Sequence, residues 1–99
     1  MKLTGKCKEE FREFYNNRPI GEIYHTSYSV FMAKTISEQI GVLIDYFDTV
    51  GVDIEICKYQ IVQEYFYIIN DGDEENSFES RPEARTAAIE KANELRNEY

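Results

Sequence analysis

The residues best suited to chemistry are the carboxylates of an acidic run near the middle of the second half of the chain. Its members are Asp71, Asp73, Glu74 and Glu75. Clustered carboxylate oxygens are the ligands that Ca²⁺ prefers. An EF-hand loop that began at Asp71 would need Gly at position 76 and Glu at position 82, where this chain has Asn76 and Pro82. We therefore interpret the run as a solvated hairpin tip.

Asp45 and Asp48 form the next candidate pair. Their spacing of three places both carboxylates on one face of a helix, where a desolvated carboxyl could act as an acid or a base. They flank Phe47, which belongs to an apolar stripe, and this arrangement is typical of an ordinary polar helix face. We expect no catalytic role for them.

The nucleophile candidates are Cys7, Cys57 and the single histidine, His25. The two cysteines lack CxxC spacing and lie far apart in the sequence, so we expect neither a disulfide nor a zinc site. The sequence contains no glycine loop for phosphate binding and no serine-hydrolase motif. We predict a protein that is not an enzyme and that uses no cofactor or metal.

Three helices are predicted by their capping residues. Thr4 can cap a first helix whose apolar stripe holds Cys7, Phe11, Phe14 and Tyr15. Thr35 and Glu38 form a capping box for the second helix, and Gly51 suits its C-terminal turn. Ser80 and Glu83 repeat the box for an alanine-rich last helix. Gly41 inside the second helix suggests a close contact with another element.

The strands are predicted by alternation. Residues 53–59 alternate, with Ile54 and Ile56 on the apolar side. Residues 63–70 are apolar on both sides, and a short third strand is expected at 77–79. The pattern of residues 20–33 fits an irregular or partly helical connection. We predict one domain over residues 1–99, in the α+β class with two layers. A three-stranded antiparallel sheet would carry helices on one face, in the order ααβββα.

The two-sided strand carries the functional hypothesis. Phe66 and Ile68 point to one side of it, and the alternating residues Tyr65, Tyr67 and Ile69 point to the other. If helices cover only the Phe66 side, tyrosines emerge on the bare side and could bind a protein partner. This predicted surface consists of Tyr59, Tyr65, Tyr67 and Ile69. The alternative is that the first helix or residues 20–33 cover these side chains and make them core.

Charge restricts the partners. The chain has 19 acidic and 11 basic residues and a net charge of −8, which repels phosphate backbones and anionic lipids. We therefore expect no direct nucleic-acid or membrane binding. The first residues, MKLTGKCKEEF, are too polar for a leader or an anchor, so we expect a cytoplasmic protein.

Three blocks carry a resemblance to known sequences: LTGKCKEEF at 3–11, SEQIGV to DYFDTVG between 37 and 51, and RPEARTAAIEKANE at 81–94. Together they resemble a group of small proteins of gut Bacteroidales genomes and their prophages. The resemblance implies a mobile-element origin and implies no activity.

Two functions follow from these observations. The first is a small interaction module whose partner is another protein or a second copy of the chain in a homodimer. The second is an acidic inhibitor that imitates phosphate groups toward a nucleic-acid-binding host protein. Its display would consist of Asp53, Glu55, Asp71, Asp73, Glu74, Glu75 and Glu79.

Overall fold

The fold is α+β, as predicted, with one helix more than expected. A computed structural model describes residues 3–17, 27–59, 61, 63–70, 72 and 75–98. In chain order the elements in this part are α1 (Gly5–Asn16), α2 (Tyr28–Met32), α3 (Ile36–Thr49), β1 (Ile54–Lys58), β2 (Tyr65–Ile69), β3 (Glu75–Phe78) and α4 (Arg81–Asn97).

The sheet is antiparallel with β2 in its centre. Ile54 pairs with Ile69 and Ile56 with Tyr67, which fixes the register of β1 against β2. The β2–β3 pairing contains an irregularity between Tyr65 and Tyr67. The third strand begins at residue 75, two residues before the predicted start.

Helix α3 begins and ends as its sequence predicts. Thr35 Oγ1 accepts a hydrogen bond from the Glu38 amide at 3.4 Å and donates one to the Glu38 carboxylate at 3.0 Å. At the other end Gly51 has a φ of +79°. The Val52 amide donates to the Phe47 carbonyl at 2.8 Å, which closes a Schellman turn.

The predicted close contact at Gly41 is wrong. Gly41 is exposed, and a Cβ atom built on it would meet nothing within 4 Å. Packing among the described residues therefore does not require a glycine at this position.

Helix α2 confirms the partly helical interpretation for one portion of residues 20–33, while residues 20–26 lie outside the described part. Ser27 caps it by accepting from the Val30 amide at 3.3 Å. Its Phe31 is buried and lies 4.7 Å from Tyr15, measured between ring centroids. The buried Gln39 side chain donates to the Phe31 carbonyl at 3.0 Å, so α3 holds α2 in place.

Helix α4 is central to the packing. It contacts all three strands on one side and both α1 and α3 on another. Ala84, Ala88 and Ala92, spaced by four residues, are completely buried. Such small side chains let neighbouring elements approach the helix closely, and the core they complete is largely aromatic. Its aromatic members are Phe11, Tyr15, Phe31, Tyr46, Phe47 and Tyr67.

Candidate functional site

Four titratable side chains meet where α1, α3 and α4 join. Arg96 binds the Glu10 carboxylate through both oxygens, from Nε at 2.6 Å and from Nη2 at 2.8 Å. The Tyr46 hydroxyl donates to the same carboxylate at 3.1 Å. The Arg96 hydrogen bonds hold the pKa of Glu10 below its ordinary value, so the carboxylate stays ionised.

Cys7 is the fourth member of this cluster, and it is completely buried. Desolvation raises the pKa of its thiol to about 11, against a smaller opposing effect of a hydrogen bond with Tyr46. Desolvation also raises the pKa of Tyr46. A protonated thiol that solvent cannot reach is a poor nucleophile. The cluster therefore fixes three helices to one another, and its thiol is shielded from solvent.

A second polar junction was missed by the sequence reasoning. Thr4 was expected to cap its own helix, but its side chain makes no such bond. Instead, Asn93 accepts from the Thr4 amide and donates to its hydroxyl, both at 3.0 Å. Asn97 accepts from the Cys7 amide at 2.9 Å and donates to the Thr4 carbonyl at 3.0 Å. The sequence contained a signal for this junction, because two asparagines spaced four residues apart share one face of α4.

The sequence left open which side of β2 is covered, and the predicted tyrosine surface required the helices to pack on the Phe66 side. In the structure they pack on the side of Tyr67. Residues that pair directly across an antiparallel ladder point to the same side of the sheet. Ile56 pairs with Tyr67, and Ile54 pairs with Ile69. Tyr67 and Ile69 therefore point to the same side of the sheet as the apolar residues of β1, and this side faces α4. Tyr67 is only 5% exposed and belongs to the core, and Ile69 packs against it.

Tyr65 also lies on the covered side, at its margin. It pairs with Lys58, whose ammonium nitrogen is 5.8 Å from the centre of the ring. The guanidinium of Arg81 lies over the same ring at 5.3 Å. Of the four predicted contact residues, Tyr59 alone lies on the opposite side of the sheet.

We call the side turned away from α4 the far face. It holds the residues that alternate with the core positions of β1 and β2: Glu55, Cys57, Tyr59, Glu64, Phe66 and Ile68. The Tyr59 and Phe66 rings lie against each other, with centroids 4.4 Å apart. Cys57, Tyr59 and Ile68 are half-buried, and Phe66 is 8% exposed. Within the described residues, the helices pack on the other side.

The remaining candidates do not assemble into a site. Asp45 and Asp48 are both exposed on α3. Asp71, Asp73, Glu74 and His25 lie outside the described residues. In the part of the chain that is described, no group of three or more His, Cys, Asp or Glu side chains could hold a metal ion.

The described helices are all too short or too polar to cross a membrane. The chain matches no protein-family model, and no curated protein or solved structure is significantly similar to it. Its class is thus defined by architecture alone: a three-stranded antiparallel sheet packed on a central C-terminal helix.

Proposed function

We propose that this protein is a non-enzymatic interaction module that binds a short segment of another protein through the far face. The observation that carries the proposal is the composition of β2. Its Phe66 and Ile68 are apolar although they point away from the core that Tyr67 joins. A strand with only one packed side ordinarily carries polar residues on the other side.

The size of the far face favours a short partner segment. Five residues of strand extend about 17 Å, and three strands span roughly 10 to 14 Å, which gives a footprint on the order of 200 Å². Stable protein interfaces bury about 800 Å² on each partner. The far face therefore suits a peptide segment or one part of a larger interface.

Charge complementarity identifies the chemistry of that segment. Glu55 lies beside Ile68 at one end of the apolar part of the far face, and Glu64 lies beside Tyr59 at the other end. A segment with apolar side chains between two Lys or Arg residues would meet both carboxylates. Tyrosine suits such contacts because it combines a large apolar area with a polar tip.

The titratable cluster supports a non-enzymatic role. Glu10, Arg96 and Tyr46 bind one another, and the Cys7 thiol is sealed from solvent. Both cysteines are free, which fits the reducing conditions of the cytoplasm, where we place the protein. The sequence resemblance supports an origin in a mobile element.

The test is a comparison of three baits in native-cell lysate: the wild-type chain, Ile68→Lys and Val30→Lys. Val30 is 52% exposed on α2 and serves as the matched control. We expect a protein that the wild type and Val30→Lys capture equally and that Ile68→Lys loses. A purified segment of that protein should then protect Cys57 from thiol reagents. If Ile68→Lys captures the same proteins as Val30→Lys, the far face is not the binding surface.

Another copy of the chain is the alternative occupant of the far face. Its small footprint and the charge of −8 on each copy both oppose a stable homodimer. Light scattering at increasing concentration tests this version. A dimer that Ile68→Lys dissociates and Val30→Lys preserves would assign the far face to self-association.

The acidic inhibitor is a second candidate function, and exposed carboxylates support it. Asp53, Glu55 and Glu79 are exposed, while the side chains of the acidic run at 71–75 lie outside the described residues. This function requires capture of a basic, nucleic-acid-binding protein that weakens steeply with salt and that added DNA prevents. Capture that is indifferent to salt and DNA would exclude it.

A further inference from the structure

A second open surface lies where the sheet ends at β3. A groove of about 490 Å³ separates Phe78 of this edge strand from one flank of α4. Its other lining residues are Pro82, Glu83, Thr86, Ala87 and Glu90. Phe78 and Ala87 are half-buried, and Pro82 is exposed. The groove therefore offers apolar atoms to solvent on the covered side of the sheet, away from the far face.

The groove exists because α4 has two different flanks. Its fully buried stripe of Ala84, Ala88 and Ala92 faces the core. Residues 83, 86, 87 and 90 follow helical spacing beside this stripe and line the groove together with Phe78 of the short strand β3. Of the described lining residues, only the small side chains of Thr86 and Ala87 lie between the two glutamates, so a partner can approach this flank of α4 closely.

The charges around the groove are acidic. Glu83 and Glu90 are both exposed, and their separation of seven residues places them about 10.5 Å apart along α4. None of the described lining residues is basic. The neighbouring Arg81 lies over the Tyr65 ring, and Lys91 is 3.9 Å from the carboxylate of Glu94.

We propose that this groove binds an amphipathic helix of a partner protein. Apolar side chains of the helix would contact Phe78 and Ala87, and Lys or Arg residues would pair with Glu83 and Glu90. A helix fits because seven residues make two helical turns, so one face of it meets both carboxylates. Strand addition to β3 would gain few hydrogen bonds, since β3 has only four residues. This surface is independent of the function proposed for the far face.

The experiment selects helical peptides that bind the full-length chain from a library. A phage-displayed library of amphipathic helices of about 18 residues keeps apolar residues at i, i+3, i+4 and i+7 and randomises the flanks among Lys, Arg, Glu and Gln. We expect enrichment of Lys and Arg at flanking positions seven apart. A labelled selected peptide should bind in fluorescence anisotropy and shift the amide resonances of Phe78 and Ala87.

Variants of the chain test the location. Ala87→Arg, which fills the groove and reverses its charge, should weaken binding of the peptide by at least about 20-fold, and Thr86→Arg provides the same test if Ala87→Arg does not fold. Glu83→Gln and Glu90→Gln should each weaken it about two- to fivefold, and less at high salt. Glu98→Gln, at the exposed residue that caps the C-terminus of α4, and Ile68→Lys on the far face should leave the affinity unchanged.

Each opposite result overturns the proposal. A library without enriched binders, or binders without flanking basic residues, would show that the groove does not select this chemistry. Peptides that bind as extended strands along β3 would replace the helix with strand addition. Binding that Ile68→Lys removes and Ala87→Arg preserves would belong to the far face.

Discussion

The two sides of β2 carry similar residues but have different neighbours. On one side Tyr67 lies in the core with Ile54 and Ala88, and it is 5% exposed. On the other side Phe66 and Tyr59 lie against each other, and no described helix packs over them. An aromatic side chain in this sheet therefore packs against the helices or against another residue of the sheet, according to the side of the strand it occupies.

The comparison teaches that residue type is a poor guide to role in a strand with two apolar sides. Tyrosine is common at interfaces, yet here Tyr67 packs in the core beneath the helices, and the far face holds Phe66. The register with β1 decides the matter, because Ile54 and Ile56 must face the helices and their partners follow.

The largest expected effect is a difference in stability between variants on the two sides of the sheet. Tyr67→Ala should lower the free energy of unfolding by about 3 to 5 kcal/mol, since it leaves a cavity in the core. Tyr59→Ala should cost about 1 to 2 kcal/mol, mainly through the lost stacking with Phe66. Urea denaturation of both variants measures the difference. Equal losses would show that the far face is packed as tightly as the core.

The two cysteines give a chemical measure of the same contrast. Cys57 is half-buried on the far face, and Cys7 is completely buried among the helices with its pKa raised to about 11 by desolvation. Iodoacetamide at neutral pH should modify Cys57 in the folded chain at least about 100-fold faster than Cys7, whose reaction requires opening of the structure. Mass spectrometry of timed digests measures both rates. Comparable rates would mean that the structure around Cys7 opens often enough for the reagent to reach Cys7 as readily as it reaches Cys57.

The helical side should also respond to acid through Glu10. Its pKa is lowered in the folded state by Arg96, so its contribution to stability is present above its ordinary pKa of 4.5 and is lost as pH falls through the folded value. Glu10→Gln should cost about 1 to 2 kcal/mol at pH 7 through the weakened charged hydrogen bonds. The cost should shrink toward pH 3.

Urea midpoints of the wild type and Glu10→Gln, measured between pH 7 and pH 3, give this difference directly. The other carboxylates titrate in both proteins, so their effects cancel in the comparison. A cost that stays constant with pH would show that the Arg96 interaction does not depend on the charge of Glu10.

The sequence predicted those parts of the fold that local chemistry specifies. Thr35, Gly51 and Ser80 mark helix ends through hydrogen bonds to neighbouring residues, and the structure contains those bonds. The residues of the core face of β1 were also predicted, because only one of its sides is aliphatic. Short-range patterns of this kind need no knowledge of the rest of the chain.

Properties that depend on distant residues were not predictable in the same way. The orientation of β2 depends on its partner strand, because both of its sides are apolar and alternation cannot distinguish them. The bonds of Thr4 depend on Asn93 and Asn97, which lie at the other end of the sequence. The groove beside Phe78 arises from the position of α4 over the sheet, which no local pattern contains.

The smallest expected effect concerns Gly41, which lies on α3 and belongs to neither of the two sides of β2 compared above. It is exposed in the middle of α3, its φ is compatible with any residue, and an added Cβ would meet nothing within 4 Å. Packing therefore contributes nothing there, and intrinsic helix propensity alone sets the outcome. Gly41→Ala should raise the free energy of unfolding by up to about 1 kcal/mol, which corresponds to an increase in Tm of roughly 4 to 8 °C for a domain of this size. Thermal denaturation followed by circular dichroism measures it. A lowered Tm would mean that the exposed face of α3 contacts another part of the chain, and it would extend the packed side of the molecule beyond the core described above.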